Sequence, residues 1–408
     1  MKKALSLALL LLLGLILPGC YDYSEPDERA WVLAMGLDKG RQNVLTVTVV
    51  IAVPKNIVGG SGGEPTGGGG FYTVSLEAPT LLSSLELLNA MVDRRADLSH
   101  TKWFVFSREL AEESIAPYFG PITRFYQFRR SSHVVICEGR AEDFLAKGTP
   151  KLEDNVGKYY ELLQRGWRNT EFIPFDTFHE FYIKSKEPGV ASVALLASLD
   201  RETSVFPDNS FKPKGNYQAG RIPREGGDKI EVMGGAVFKE GRMIDTLDGD
   251  EVGMQKLFEG TLSFSIMDVL DPKEPDRFLI IEVRPRQKPK IDVRIVDGYP
   301  QITADVKLEG EILSIQSGYN YEKPDNLPVL EEAVEKHVRE DLEKTIAKSQ
   351  KLGADFLGFG LHAKKLFWTW SQWEAYKWDE KYAGANIAVN VDFKIRRIGL
   401  VRKMTPLE

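Results

Sequence analysis

The sequence predicts an α+β protein with a mixed α/β N-terminal part, in which helices pack on a sheet, and a C-terminal antiparallel sheet with a long packed helix. Three observations support this prediction. Strand and helix patterns alternate from residue 30 to residue 199. A polar stretch rich in proline and glycine follows at 200–228. Beyond it, short strand patterns separated by turn residues dominate, with one long helical pattern.

The first nineteen residues predict a secretory signal peptide. Lys2 and Lys3 precede an apolar run from Ala4 to Leu17, interrupted only by Ser6, which falls short of the roughly 20 residues needed to span a bilayer. The run ends in Leu17-Pro18-Gly19-Cys20, which is similar to the lipobox of bacterial lipoproteins. We therefore expect cleavage before Cys20 and attachment of lipid to its thiol, since two or more acyl chains anchor a protein stably. The alternative is an ordinary secretory signal with a coincidental cysteine.

Charge and cysteine content narrow the class of protein. The chain carries a net charge of −6, which becomes −8 when the two lysines of the signal peptide are removed. This acidity argues against binding to nucleic acid or, by charge alone, to an anionic lipid surface. Cys137 is the only cysteine besides Cys20, so lipidation leaves no disulfide, and the fold must rest on a packed core. No further apolar segment approaches spanning length, so we expect the remainder to fold outside the bilayer.

The N-terminal domain is predicted at residues 20–200, with a second subdomain from about residue 140 as one option. It opens with a hairpin of strands at 30–37 and 44–53, followed by a glycine-dense loop at 59–70. The later elements are a strand at 72–77, a helix from Pro79 to about 93, a strand at 102–107, a helix at 109–128 broken at Pro121, a strand at 133–138, helices from 141, at 151–165 and at 175–186, and a strand at 190–199. This alternation indicates helices packed on a sheet.

We place a linker at 201–228 and the C-terminal domain at 229–408. Its predicted strands lie at 230–238, 261–267, 278–284, 291–296, 301–308 and 386–395, and the turns between the first five suggest an antiparallel meander. The long helix begins at Pro328 and ends at Gly353. Its apolar residues recur every four positions, at Leu330, Val334, Val338, Leu342 and Ile346.

No residue pattern supports a catalytic or metal site. Ser61 stands in a Gly-x-Ser-x-Gly pattern, but more glycine follows where a nucleophile elbow needs a helix. His133 and Cys137 would share a strand face, yet a zinc site requires a third ligand. The acidic cluster around Gly249 lacks the spacing of a calcium loop and is interpreted as a solvated hairpin turn. We therefore expect a protein that is not an enzyme and needs no cofactor.

Two features are candidates for contact with a ligand or a partner. His100 lies between a predicted helix and a predicted strand, where it could contact a ligand, although a structural role is commoner for such a histidine. The stretch 367–378 holds four of the seven tryptophans and is flanked by lysines. We expect most of these rings in a domain core, and we name Trp368 and Trp378 as rings that could contact a partner or a membrane.

Several segments together resemble the C subunits of spore nutrient germinant receptors, the Ger(x)C lipoprotein family. Gly19-Cys20-Tyr21-Asp22 is similar to the family's Gly-Cys-Trp-Asp opening. The further similar segments are 32–38, the glycine loop at 59–70, 99–102, 109–111, 235–239, 355–360 and 395–399. Tyr21 stands where the family has Trp, Pro18 where the lipobox has Ala, Ser or Thr, and Leu37 where Ile is common. The resemblance covers nearly the whole chain after the signal peptide.

The resemblance implies a non-enzymatic subunit that Cys20 anchors to the outer face of the cell membrane, which in the spore is the inner membrane. It implies assembly with two integral membrane subunits, A and B, in a receptor that starts germination in response to nutrients. The alternatives are a solute-binding lipoprotein of a membrane transporter and an anchored hydrolase. A solute-binding protein should show two similar doubly wound lobes. The sequence leaves open which nutrient acts and whether this subunit binds it directly.

Overall fold

The computed structural model of the chain describes residue 3 and residues 25–53, 70–153, 155–199 and 213–399. Cys20, Ser61 and nearly all of the glycine-dense loop lie outside these residues. The described part forms two sheets with packed helices, which confirms the α+β class. No helix in this part combines the length and the hydrophobicity needed to cross a membrane.

Nine strands of the described chain form the first sheet. They are β1 (Arg29–Lys39), β2 (Leu45–Ala52), β3 (Phe71–Ala78), β4 (Arg95–Asp97), β5 (Trp103–Ser107), β6 (His133–Cys137), β7 (Ser192–Leu199), β8 (Ile230–Lys239) and β9 (Arg242–Leu247). Their order is β3-β2-β1-β5-β6-β7-β8-β9, with β4 beside β1. The central strands β1, β5, β6 and β7 run parallel, while antiparallel pairs extend both edges.

Helices cover both faces of this sheet. They are α1 (Leu81–Met91), α2 (Arg108–Glu113), α3 (Ala116–Arg124), α4 (Ala141–Lys147), α5 (Val156–Gln164) and α6 (Phe178–Lys186). Helices α1, α2, α3 and α6 share one hydrophobic cluster with the sheet, and α4 and α5 share another. Because central parallel strands are buried on both faces, their sequences are apolar throughout, as in the fully buried β5.

The predicted helix at 109–128 is two helices, and the break lies at Ser114 and Ile115 rather than at Pro121. Pro117 explains the position, because it has no backbone N–H to continue the hydrogen bonding of α2 and is favoured in the first turn of a new helix. Pro121 lies inside α3.

Five strands of the described chain form the second sheet. They are β10 (Ser265–Leu270), β11 (Phe278–Pro285), β12 (Lys290–Val296), β13 (Tyr299–Ile315) and β14 (Asn386–Arg397). The pairs among β10 to β13 are antiparallel as predicted, but β14 pairs parallel to β13. The reason is the connection between these two strands, which contains a long helix and can therefore act as a crossover.

That long helix is α8 (Leu327–Leu352), with the left-handed Gly353 as its C-cap. Leu330, Val334, Val338, Leu342 and Ile346 are buried in the hydrophobic core of the second sheet, so the predicted apolar stripe is confirmed. Three short helices follow: α9 (Phe359–Ala363), α10 (Trp370–Tyr376) and α11 (Trp378–Tyr382).

Two predictions for the region after residue 228 were wrong. The strand predicted at 230–238 does not belong to the C-terminal meander, since β8 pairs with β7 and β9 in the first sheet. The acidic cluster around Gly249 is not a hairpin turn but the start of α7 (Gly249–Glu259). Asp248 and Glu251 form a capping box, in which each side chain accepts a hydrogen bond from the other's backbone N–H at 2.9 Å.

Candidate functional site

A cleft of about 630 Å³ lies where the first sheet's helices and loops meet the second sheet. Its walls come from α7, α8, β10 with the loop that follows it at 271–275, and two further loop segments, around Glu171 and around Lys214. The volume falls within the roughly 300–1,000 Å³ typical of small-molecule sites.

The lining combines an apolar wall with an excess of acidic groups. Met254, Met267 and Val269 are buried and form part of the apolar wall, together with Val329 and Ala333 of α8. The charged side chains in the lining are Glu171, Asp250, Asp268, Asp271, Glu332, Glu340 and Asp341, against Lys214, Lys336 and Lys344, with His337 beside them. The carboxylates thus outnumber the lysines.

Glu171 is one of two nearly fully buried carboxylates in the lining, at 5% exposure, with Asp271 at 1%. Burial raises the pKa of its carboxyl to about 7, although Ser265, Lys214 and Lys256 favour the charged form. The carboxyl group packs against α7 at Gly253, where an added Cβ would lie 3.1 Å from Oε2 of Glu171.

Lys256 fixes the loop that carries Glu171. This α7 residue is 1% exposed, and its Nζ donates hydrogen bonds to the carbonyl oxygens of Trp167 (2.9 Å) and Thr170 (2.8 Å). Burial lowers the pKa of its ammonium group to about 8. Lys256 therefore acts as a positioning residue, since it holds the backbone immediately before Glu171.

Asp250 lies in the first turn of α7, against the backbone of Gly215. A Cβ at Gly215 would come within 1.5 Å of Oδ1 of Asp250, so only glycine leaves room for the carboxyl group. Burial, followed by the negative charges of Asp341 and Glu171, raises the pKa of Asp250 to about 7. Glu171, Asp250 and Asp341 therefore repel one another across the cleft.

Two polar groups in the lining have unused hydrogen-bonding capacity. Ser265 is 2% exposed and its Oγ lies near the Glu171 carboxyl, but it makes no hydrogen bond of good geometry. The buried Nζ of Lys214 likewise has no hydrogen bond, and it lies 3.6 Å from Oδ2 of Asp268. Such groups are uncommon, because buried polar atoms in native proteins nearly always have a partner.

His100 is exposed and does not line this cleft. Its ring contacts Trp31 edge to face at 4.6 Å between centroids, and its Nδ1 lies 3.1 Å from Oγ of Ser99. Partial burial and the positive charge of Arg129 lower its pKa. A ligand contact at His100 stays a prediction.

The tryptophan-rich stretch divides between core and surface. Trp373 and Trp378 are each 2% exposed and lie in the core, whereas Trp368 is 95% and Trp370 45% exposed, so the core holds fewer of these rings than predicted. The indole N–H of Trp378 donates to Oδ2 of Asp355 at 3.2 Å. This burial does not fit the predicted partner contact at Trp378, while Trp368 remains accessible to one.

Asp355 organises this region. Its buried carboxylate accepts hydrogen bonds from the backbone N–H groups of Gly358 (2.8 Å), Phe359 (3.2 Å) and Gly360 (2.6 Å), as well as from Trp378. It thereby satisfies donors at the start of α9. The Asp-Phe-Leu-Gly-Phe-Gly segment at 355–360 thus has a structural role, because the side chain of its first residue caps the helix formed by its last residues.

His133 and Cys137 lie on β6, as predicted. The Nδ1 atom of His133 lies 2.8 Å from the carbonyl oxygen of Asp176, and burial raises the pKa of the Cys137 thiol. In the part of the chain that the structure describes, no group of three or more His, Cys, Asp or Glu side chains is arranged to hold a metal ion.

The sequence analysis did not find the cleft residues. Glu171, Lys214, Asp250, Ser265 and Asp341 come from separate segments, and none belongs to a local motif. Only the tertiary fold brings them together.

Two family models match the chain. Residues 22–198 match the family described as "Spore germination protein N-terminal domain". Residues 233–399 match "Spore germination B3/ GerAC like, C-terminal". This chain belongs to the Ger(x)C family of spore germination proteins. The resemblance predicted from the sequence is thereby confirmed.

Relatives of the Ger(x)C chain match most of its length at low identity. Spore germination protein KC of Bacillus subtilis (strain 168) is 25% identical, over 98% of this chain and 97% of the relative. Spore germination protein A3 of the same organism is 25% identical, over 73% of this chain and 71% of the relative. The crystal structure of the GerBC protein matches with a TM-score of 0.54 at 17% identity, over 89% of this chain and 97% of that one. The fold is therefore the GerBC fold, and the chain has a role in spore germination.

Proposed function

We propose that this chain is the lipid-anchored C subunit of a spore nutrient germinant receptor. In this role it acts as a non-catalytic scaffold that couples the integral membrane subunits A and B on the outer face of the spore inner membrane. The observation that carries the proposal is the match of both halves of the chain to spore germination families, behind a lipobox-like Leu17-Pro18-Gly19-Cys20.

The architecture favours this role over that of a solute-binding lipoprotein. A solute-binding protein of the expected type has two similar doubly wound lobes. Here the first unit is a mixed sheet with antiparallel edges, and the second is a largely antiparallel sheet with one long helix. The two units are not repeats of each other.

The proposed anchor keeps the folded body close to the bilayer. Eight residues separate Cys20 from β1, which begins at Arg29, and eight residues reach at most roughly 28 Å when fully extended. The start of β1 therefore stays within that distance of the lipid attachment point, where membrane subunits are accessible.

Acyl labelling tests the anchor. We expect labelled lipid on the wild-type chain and on Cys137→Ala, and none on Cys20→Ala, because only Cys20 stands at the lipobox position. Cys137→Ala is the matched control, since it removes the other cysteine of the chain. Label that persists in Cys20→Ala would place the lipid elsewhere.

Germination assays test the role itself. Spores that lack this chain are exposed to a panel of amino acids, sugars and nucleosides. We expect loss of the response to at least one nutrient, restored by the wild-type gene and restored weakly by Cys20→Ala. Unchanged responses to every nutrient would contradict the proposal, provided that wild-type spores are shown to contain the protein.

A further inference from the structure

The described lining of the cleft between α7, α8 and β10 holds more carboxylates than lysines. Among the described residues, the Asp250 carboxylate has no hydrogen bond or ion pair, and burial, followed by the negative charges of Asp341 and Glu171, raises its pKa. Asp341 has one ion-pair contact, with Nε2 of His337 at 3.6 Å. Glu171 is nearly fully buried beside them. Like charges held together in a half-closed space favour a bound cation.

The shape of the site indicates which kind of cation. The described carboxylates are not grouped closely enough to coordinate a metal ion, and the volume of about 630 Å³ far exceeds what one ion needs. The wall of Met254, Met267 and Val269 offers apolar surface next to the carboxylates. A ligand that fits both features has a cationic group on an apolar body.

A second observation points to a ligand independently of the charge. Ser265 is 2% exposed and lines the cleft, and its Oγ lies beside the Glu171 carboxyl without a hydrogen bond of good geometry. It lies beside Glu171, so one bound group could contact both side chains. An unsatisfied hydroxyl of this kind is expected where a ligand completes the hydrogen bonding.

We propose that this cleft binds an organic cation, an ammonium or guanidinium group carried on an apolar body. Glu171 and Asp250 bind the charge, Ser265 contributes a hydrogen bond, and the methionine and valine side chains cover the apolar part. The free amine of a small molecule and a lysine side chain of a partner protein share this chemistry. Binding is a property of this chain and does not depend on the proposed receptor role.

Calorimetry or ligand-observed NMR on the purified full-length chain in nonionic detergent tests the proposal. The probes are 2-phenylethylamine, its uncharged counterpart 2-phenylethanol, and N-acetyl-lysine methylamide, all at pH 8. We expect at least one of the two amines to bind and the alcohol to bind much more weakly. Tighter binding of 2-phenylethylamine indicates a small-molecule ligand, and tighter binding of the lysine derivative indicates a protein side chain.

Two variants and one control connect the binding to the cleft. Glu171→Gln and Asp250→Asn should each weaken amine binding by on the order of tenfold, because each removes a negative charge that would bind the cationic group. Glu86→Gln removes the same charge from the exposed surface of α1 and should leave binding unchanged. A thermal melt of each variant verifies that it is folded.

Three results would overturn the proposal. They are equal binding of the amine and the alcohol, no binding of either amine, and amine binding that folded Glu171→Gln and Asp250→Asn retain in full. Each can occur whether or not the chain assembles with receptor subunits, so failure here is distinguishable from failure of the proposed function.

Discussion

Glu171 is a buried carboxylate, and burial disfavours its charged form more than the neighbouring Ser265, Lys214 and Lys256 favour it. Its pKa of about 7, against an ordinary value of 4.5, means that the folded protein holds the proton more tightly than the unfolded chain does. The contribution of the Glu171 proton to the free energy of unfolding is therefore full below pH 4.5, and it is lost as the pH rises to 7. A protein that keeps such a group at neutral pH gives up stability there, which is common at binding sites.

Glu171→Gln should remove this pH dependence. We expect the free energy of unfolding to fall less steeply between pH 5 and pH 7 than in the wild type, and to be higher at pH 8 by up to about 3 kcal/mol. Denaturant unfolding at a series of pH values measures it, with Glu86→Gln as the exposed control. A variant less stable than the wild type at pH 8 would show that the carboxylate is a structural partner instead.

At the scale of elements, the end of β1 packs closely against α4 and caps its N-terminus. Gly36 faces the helix so closely that a Cβ there would lie 2.8 Å from Cδ1 of Leu145. Two residues later, the buried Asp38 carboxylate accepts hydrogen bonds from the backbone N–H groups of Ala141 (2.8 Å) and Glu142 (2.9 Å). A strand residue thus caps a helix more than a hundred positions away.

Asp38→Ala should destabilise the docking of α4. Loss of the cap leaves two backbone donors without a partner, so we expect the free energy of unfolding to fall by about 2 kcal/mol. Asp143→Ala is the matched control, because Asp143 lies in the first turn of the same helix but forms only an exposed pair with Lys147. Equal effects of the two substitutions in denaturant unfolding would contradict the capping role.

Elements with complete local signals could be predicted closely, and elements defined by distant partners could not. Helix α8 has a proline at its start, a glycine at its end and an unbroken apolar stripe, so its bounds were predicted to within a residue. The strand at 230–238 was correctly recognised, but its hydrophobic pattern does not specify its partner, and it joins β7 rather than the meander. The cleft depends on five separate segments, so no local pattern could indicate it.

At the scale of the whole molecule, the two units are connected by a close junction. The backbone N–H of Ala191 donates to the carbonyl oxygen of Asp355 at 2.9 Å, and Nε1 of Trp373 donates to that of Pro188 at 3.3 Å. A Cβ at Gly360 would lie only 2.0 Å from the carbonyl oxygen of Gly189. These contacts join the two units into one body.

Gly360→Val should weaken this junction. The added side chain collides with backbone, so we expect calorimetry to show a lower melting temperature, with the single transition broadened or split into two. Gly120→Val in α3 is the control position, since nothing lies within 4 Å of a Cβ added there. A melting curve identical to that of the wild type would mean that the junction does not couple the units.

The most direct test of the proposed receptor role is to recover the tagged chain from detergent-solubilised spore membranes and to identify the proteins bound to it. The account predicts two integral membrane subunits of a germinant receptor, retained with the wild-type chain and reduced for Cys20→Ala. Recovery of a transporter permease in their place would contradict it.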